Sequence, residues 1–237
     1  MSPVLFWDID GTLLATGGAG MFAWNDAVKE HTGRDFDLKT AIRSAGFTDY
    51  QIGVRTFEVL GIPASSADVD RLVRRYEELL PASLFRKDGV VLPNVRAILE
   101  RLRDDRPDVR SYLLTGNTAA GARAKLTHYG LWELLSRGAF CVDATARAGI
   151  AARALALARD EGPVPDGMAI VIGDTPHDIE CANAVGARTL AVATGGYDLD
   201  ELTSHRPWHG CAELPAPDDF LALISTAHAA GEPARRE

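Results

Sequence analysis

Apolar residues fall along this chain in short uninterrupted runs, each closed by a polar cluster. Val4-Leu5-Phe6-Trp7, Ser111-Tyr112-Leu113-Leu114 and Ala169-Ile170-Val171-Ile172 are of this kind, and Thr189-Leu190-Ala191-Val192-Ala193 is a fourth that ends in Thr194-Gly195-Gly196. Runs this short, without alternation, are the mark of strands buried on both faces. Between the later runs, apolar spacing predicts helices over Asn94 to Arg103, Ala119 to His128, Ala148 to Arg159 and Asp178 to Val185. Strand alternating with helix specifies an α/β fold, a doubly wound, Rossmann-like parallel sheet.

The alternation breaks between about Gly17 and Lys87. That stretch predicts helices only: Met21 to His31, Leu38 to Arg43, Tyr50 to Leu60 and Asp68 to Leu80, the last preceded by Ser65-Ser66 as N-cap and stopped by Pro81. A helices-only block behind the first strand is expected to be an inserted small domain. The division is then a core of residues 1–16 and 88–237 and an α-helical cap of residues 17–87. Thr16-Gly17-Gly18-Ala19-Gly20 is the expected first hinge and Phe85 to Gly89 the second crossing, with the core resuming at Val90-Val91-Leu92-Pro93. The tail from Ala227 to Glu237, small and polar, predicts no packed element.

Composition narrows the function. With 46% apolar residues in 237, the chain can bury a sizeable interior. A formal charge of -8 with scattered Lys and Arg argues against a nucleic-acid or anionic-membrane partner, so an anionic substrate needs a local positive focus, and a divalent cation can supply it. Cys141, Cys181 and Cys211 are odd in number and far apart, which suits reduced thiols better than a disulfide framework or a CxxC metal site. The start of the chain lacks the pattern of a signal peptide, and no apolar run is long enough to span a membrane, so a cytoplasmic location is expected.

In an open parallel sheet, ligands bind beyond the carboxyl ends of the strands. There stand Asp8-Ile9-Asp10-Gly11-Thr12, then Thr115-Gly116-Asn117-Thr118, then Gly173-Asp174-Thr175-Pro176-His177-Asp178. Carboxylates gathered at one sheet edge repel one another unless a cation neutralises them, and hard oxygen donors favour magnesium. With phosphate sharing the metal, Asp8 is placed to attack phosphorus and form an aspartyl-phosphate. Asp10 can protonate the leaving oxygen and then activate water. Thr115 and the amides of Gly116 and Asn117 are expected to hold phosphoryl oxygens, as are Gly11 and Thr12, while Asp174 ligates the metal with Asp8 and Asp10. Asp178 either caps the helix behind Pro176-His177 or supports the metal. His177, with no second histidine near it in sequence, is expected at the solvent or substrate edge.

These residues resemble the haloacid dehalogenase superfamily, in particular its phosphatase branch with a helical cap of the phosphoglycolate-phosphatase type. Phe6-Trp7-Asp8-Ile9-Asp10-Gly11-Thr12-Leu13-Leu14 matches the first motif, Leu113-Leu114-Thr115-Gly116-Asn117 the second and Gly173-Asp174-Thr175-Pro176-His177-Asp178 the fourth, in the family's order and over nearly the whole chain. The third motif is a lysine in the family; the resemblance puts Arg147, within Asp143 to Ile150, in its place. Lys125, the sole lysine between Thr115 and Asp174, is expected at the surface of its helix. The resemblance also implies that Ala45 to Ile52 faces the active site, with Thr48 and Asp49 ordering the substrate. It implies a magnesium-dependent hydrolase of a small phosphorylated metabolite. A phosphosugar mutase shares these core motifs and is the alternative, with a non-catalytic binding module behind it; Asp10 speaks against a dehalogenase.

Overall fold

The computed structural model describes residues 2–143 and 146–227. In chain order it contains β1 (Val4–Trp7), β2 (Leu14–Ala15), α1 (Ala19–Thr32), α2 (Leu38–Ala41), α3 (Asp49–Leu60), α4 (Ser66–Ser83) with a 3-10 turn at Leu84–Arg86, β3 (Val90–Val91), α5 (Val95–Asp105) and β4 (Arg110–Leu114). There follow α6 (Ala119–His128), β5 (Gly138–Ala139), α7 (Arg147–Glu161), β6 (Ala169–Gly173), α8 (Pro176–Ala184), β7 (Arg188–Val192), α9 (Leu199–Ser204), β8 (His209–Cys211) and α10 (Pro217–Thr226). The expected tail lies, from residue 228 on, outside the described residues.

Six strands form one parallel sheet in the order β5-β4-β1-β6-β7-β8. The chain leaves β1 at the sheet centre and later fills both sides, so a crevice opens above the carboxyl end of β1, the switch point of the topology. Every residue of β1 is buried. Its alternate side chains feed two cores: Leu5 and Trp7 join the cluster under α5 and α10, and Val4 and Phe6 the cluster under α7 and α8. Trp7 stacks on Phe220 of α10 at a centroid distance of 5.6 Å. This pairing anchors a helix that the apolar runs did not predict.

The helices-only block has an interior of its own, built from Trp24 of α1, Phe57 of α3 and Leu72, Tyr76 and Leu80 of α4. The indole N–H of Trp24 donates to Thr56 Oγ1 at 3.0 Å, which satisfies the one polar atom of a ring buried to 1% exposure. One expectation needs correcting. Pro81 does not end its helix: α4 runs on to Ser83, whose hydroxyl donates to the carbonyl of Ala19, because the flanking Leu80 and Leu84 are buried and their packing outweighs the lost backbone bond. The run Val90-Val91 pairs antiparallel with Leu14-Ala15, so the two chain crossings between the layers are joined as a ribbon. No helix among the described residues is long and apolar enough to cross a membrane. The three cysteines are free thiols.

Candidate functional site

Strand register assembles the site. Trp7 lies beside Ile172 on one neighbour and Leu113 on the other, so the residue after Trp7 meets the ends of both strands. Asp8 therefore sits between Asp174 and Thr115, and its N–H donates to the carbonyl of Ile172 at 3.0 Å. Gly11 holds φ +82, and a Cβ there would collide with the Asp174 carboxylate, so only glycine lets the loop after β1 close over that acid.

Carboxylate oxygens of Asp8, Asp174 and Asp178 lie within 4.8 Å of one another, all three residues buried. Burial pushes the Asp8 carboxyl up to about 6, with Asp178 and Asp10 adding to the rise and Arg147 opposing it. Asp174 is raised well above the ordinary carboxylate range, by burial and then by Asp8 and Asp178. The charge that partly relieves this crowding is Arg147, at the first turn of α7 and 6% exposed: its Nη2 is 3.1 Å from Asp8 Oδ1 and 2.5 Å from Asp178 Oδ1. Burial works against the guanidinium, but Asp178 and Asp8 outweigh it and hold Arg147 charged. Ala144 and Thr145, in the segment that leads to it, lie outside the described residues.

Several predicted site residues play other parts. Asp178 spends Oδ2 on the N–H and hydroxyl of Thr175, at 3.0 and 2.7 Å, and Oδ1 on Arg147. It is a helix cap and a support for the arginine, with neither oxygen left uncommitted. Thr12 is buried with its hydroxyl 3.2 Å from Asp174 Oδ1, oriented to that acid. Thr115 accepts from the backbone and side-chain N–H of Asn117, at 3.3 and 2.8 Å. Thr48 caps α3 in a capping box with Gln51, which ties up the side chain that was expected to order substrate. Its neighbour Asp49 bridges the layers: its N–H donates to Gly116 O at 2.9 Å, and its Oδ2 accepts from Thr118 N at 2.8 Å. His177 is partly exposed, with Nδ1 3.2 Å from Glu180.

The largest departure concerns Asp10 and Lys125. The sequence reading puts Asp10 among the metal ligands and Lys125 at the surface; in the structure Lys125 is 5% exposed and Asp10 is its partner. Lys125 Nζ lies 2.6 and 2.8 Å from the two oxygens of Asp10 and 2.6 Å from Asn117 Oδ1, and the Asn117 amide donates to Asp10 at 2.8 Å. Burial disfavours the ammonium, but Asp10, Tyr76 and Asp49 together hold its pKa above the ordinary value. The Asp10 carboxylate is thus turned to a cation and an amide, separate from the three-carboxylate cluster. A signal for Lys125 does exist in the sequence: it stands four residues after Gly121 and three after Ala122, on the stripe that α6 buries.

A cavity of about 430 Å³ lies between the strand ends and the helical layer. Asp8, Asp10, Asp174, Arg147, Lys125, Gly116 and Asn117 reach it from the sheet side, and Phe47, Asp49 and Tyr76 from the other. Thr12, Thr48, Thr115 and Asp178 do not line it.

The haloacid dehalogenase-like hydrolase model matches residues 5–183. The "Probable phosphatase IndB" of Dickeya dadantii is 27% identical over 243 residues, which cover 97% of this chain and 95% of that protein. Among solved structures, a predicted phosphoglycolate phosphatase from Haemophilus somnus superposes with a TM-score of 0.73 at 16% identity, covering 94% of this chain and 97% of the other. A hydrolase from Pseudomonas syringae gives 0.71 at 18% identity, covering 95% and 98%. The parallel sheet and the helical layer above it thus share their fold with these structures over nearly the full chain, and the chain belongs to the haloacid dehalogenase-like hydrolases, a family of enzymes.

Proposed function

We propose that this chain is a magnesium-dependent phosphatase that hydrolyses a small phosphomonoester through a phosphorylated Asp8, with residues 17–87 acting as the cap over its core. The observation that carries the reading is the position of Asp8: a buried carboxylate on a cavity wall, 3.1 Å from a buried arginine and within reach of Asp174. The named relative from Dickeya dadantii supports the same reaction class.

The donor set suits magnesium, because two buried carboxylates with raised pKa values, supplied by hard oxygens and free of histidine, are stabilised by a small divalent cation. Asp8 and Asp174 would hold it, since Asp178 is committed to Thr175 and Arg147 and Asp10 to Lys125 and Asn117. Bound there, the ion supplies charge neutralisation for phosphoryl oxygens. Arg147 adds a second positive group on the Asp8 side, and in the loop after β4 the backbone N–H left for the same oxygens is that of Gly116, since those of Asn117 and Thr118 donate to Thr115 and Asp49.

Asp8 Oδ attacks phosphorus as the bond to the leaving oxygen breaks, and Asp10, which first takes the proton of the monoanionic phosphate ester, gives that proton to the leaving oxygen. The Asp10 carboxylate then takes a proton from water as the water oxygen attacks phosphorus, which releases phosphate and regenerates Asp8. Lys125 and Asn117 hold Asp10 in one orientation through both steps. Release of inorganic phosphate from p-nitrophenyl phosphate tests the proposal: turnover with magnesium that disappears in chelator is expected, and full turnover in chelator, or none with magnesium, refutes it.

A further inference from the structure

We infer that the substrate is the phosphomonoester of an uncharged, largely apolar or aromatic alcohol, and not of an alcohol carrying a carboxylate or a second phosphate. The inference rests on the phosphatase reading above and deepens it. The helical layer lines the cavity with Met21, Trp24, Leu38, Phe47 and Ile52. The polar side chains it adds are the hydroxyls of Ser44 and Tyr76 and the acid of Asp49. Among the described residues, that layer contributes no Lys, Arg or His to the lining, and the cations that line the cavity at all are Lys125 and Arg147, both from the sheet side.

Neither is available to a second anion. The three protons of Lys125 Nζ match three acceptors, two on Asp10 and one on Asn117, so the ammonium is spent. Arg147 is held through Nη2 by Asp8 and Asp178, its Nε is buried and its Nη1 lies 3.5 Å from the carbonyl of Gly46, so what it has left to give is directed beside Asp8, where the phosphoryl group would react, and not along the apolar wall. A carboxylate on the leaving group would lie among apolar side chains with Asp49 as the charged neighbour from that layer, and an unpaired buried charge beside a like charge is strongly disfavoured. An apolar or aromatic group meets none of these costs and buries its surface against Trp24, Phe47 and Met21.

The test compares kcat/KM, with magnesium, for benzyl phosphate, phosphoglycolate and glucose 1,6-bisphosphate, alongside p-nitrophenyl phosphate. Benzyl phosphate is expected to exceed phosphoglycolate and the bisphosphate by about tenfold or more, and Met21→Lys, which puts a cation on the apolar wall at a partly exposed position, to raise phosphoglycolate relative to benzyl phosphate by about fivefold to tenfold. Hydrolysis in which phosphoglycolate or the bisphosphate equals or exceeds benzyl phosphate overturns the inference and leaves the phosphatase reading standing; so does a Met21→Lys variant with an unchanged ratio. A folded protein that hydrolyses none of the four overturns both.

Discussion

Replacing Asp49 by Asn should make the protein more stable at neutral pH. Asp49 is buried at the start of α3 and touches the core loop through Thr118 N. Burial raises its carboxyl from 3.8 to about 6, against the pull of Lys125 and the Thr118 N–H. Between those two values the native state binds more proton than the unfolded chain, so stability falls as pH rises through the window and the full penalty is present above about 6. At ~1.4 kcal/mol for each tenfold change in proton affinity, that penalty is about 3 kcal/mol. Asparagine keeps a carbonyl oxygen to accept from Thr118 N and carries no charge to desolvate. Urea unfolding followed by tryptophan fluorescence, at pH 4 and pH 8, measures the difference. Near-equal stabilities at pH 4 and an advantage of about 2–3 kcal/mol for the variant at pH 8 are expected. A variant less stable than the parent at pH 8, or a difference independent of pH, would show that the ionised Asp49 holds the layers together and that desolvation is not the dominant effect.

Two further outcomes follow from the same contacts. Lys125→Met should lower kcat for an alkyl phosphate with a poor leaving group by about a hundredfold or more while changing KM little, because Asp10 loses the group that orients it; Lys125→Arg should recover part of the loss, and steady-state kinetics on the two variants checks both. Gly116→Ala would place a Cβ 2.7 Å from the carbonyl oxygen of Phe47 and 3.1 Å from Thr48 Cα, so the helical layer must move away; kcat/KM should fall about tenfold and amide exchange at the start of α3 should speed up, measured by hydrogen exchange.

What the sequence discloses and what it hides divide along physical lines. Strands buried on both faces must be apolar throughout, so Val4 to Trp7 and Ala169 to Ile172 announce themselves, and the acids that follow them stand out by contrast. β5, β8 and the ribbon of β2 with β3 are two or three residues long, too short for any period to register. The place of Lys125 on the buried stripe of α6 is legible, but its charge points the other way because a helical lysine is ordinarily solvated, and the partner that lets it be buried, Asp10, is distant in sequence and brought within 2.6 Å only by the fold. Thr48 carries two meanings in one string: Thr48-Asp49-Tyr50-Gln51 has the spacing of a capping box as well as a place in a segment expected to face substrate, and the helix end has the first claim on its hydroxyl.

In the proposed mechanism phosphoryl transfer passes through Asp8. Acid quenching of the enzyme during turnover of a radiolabelled phosphomonoester, followed by peptide mapping, tests it most directly. A hydroxylamine-labile label on the peptide that contains Asp8, absent from an Asp8→Asn variant that retains the fold and has lost turnover, is the predicted result. Turnover by wild type with no label trapped, together with sustained turnover by Asp8→Asn, would contradict it.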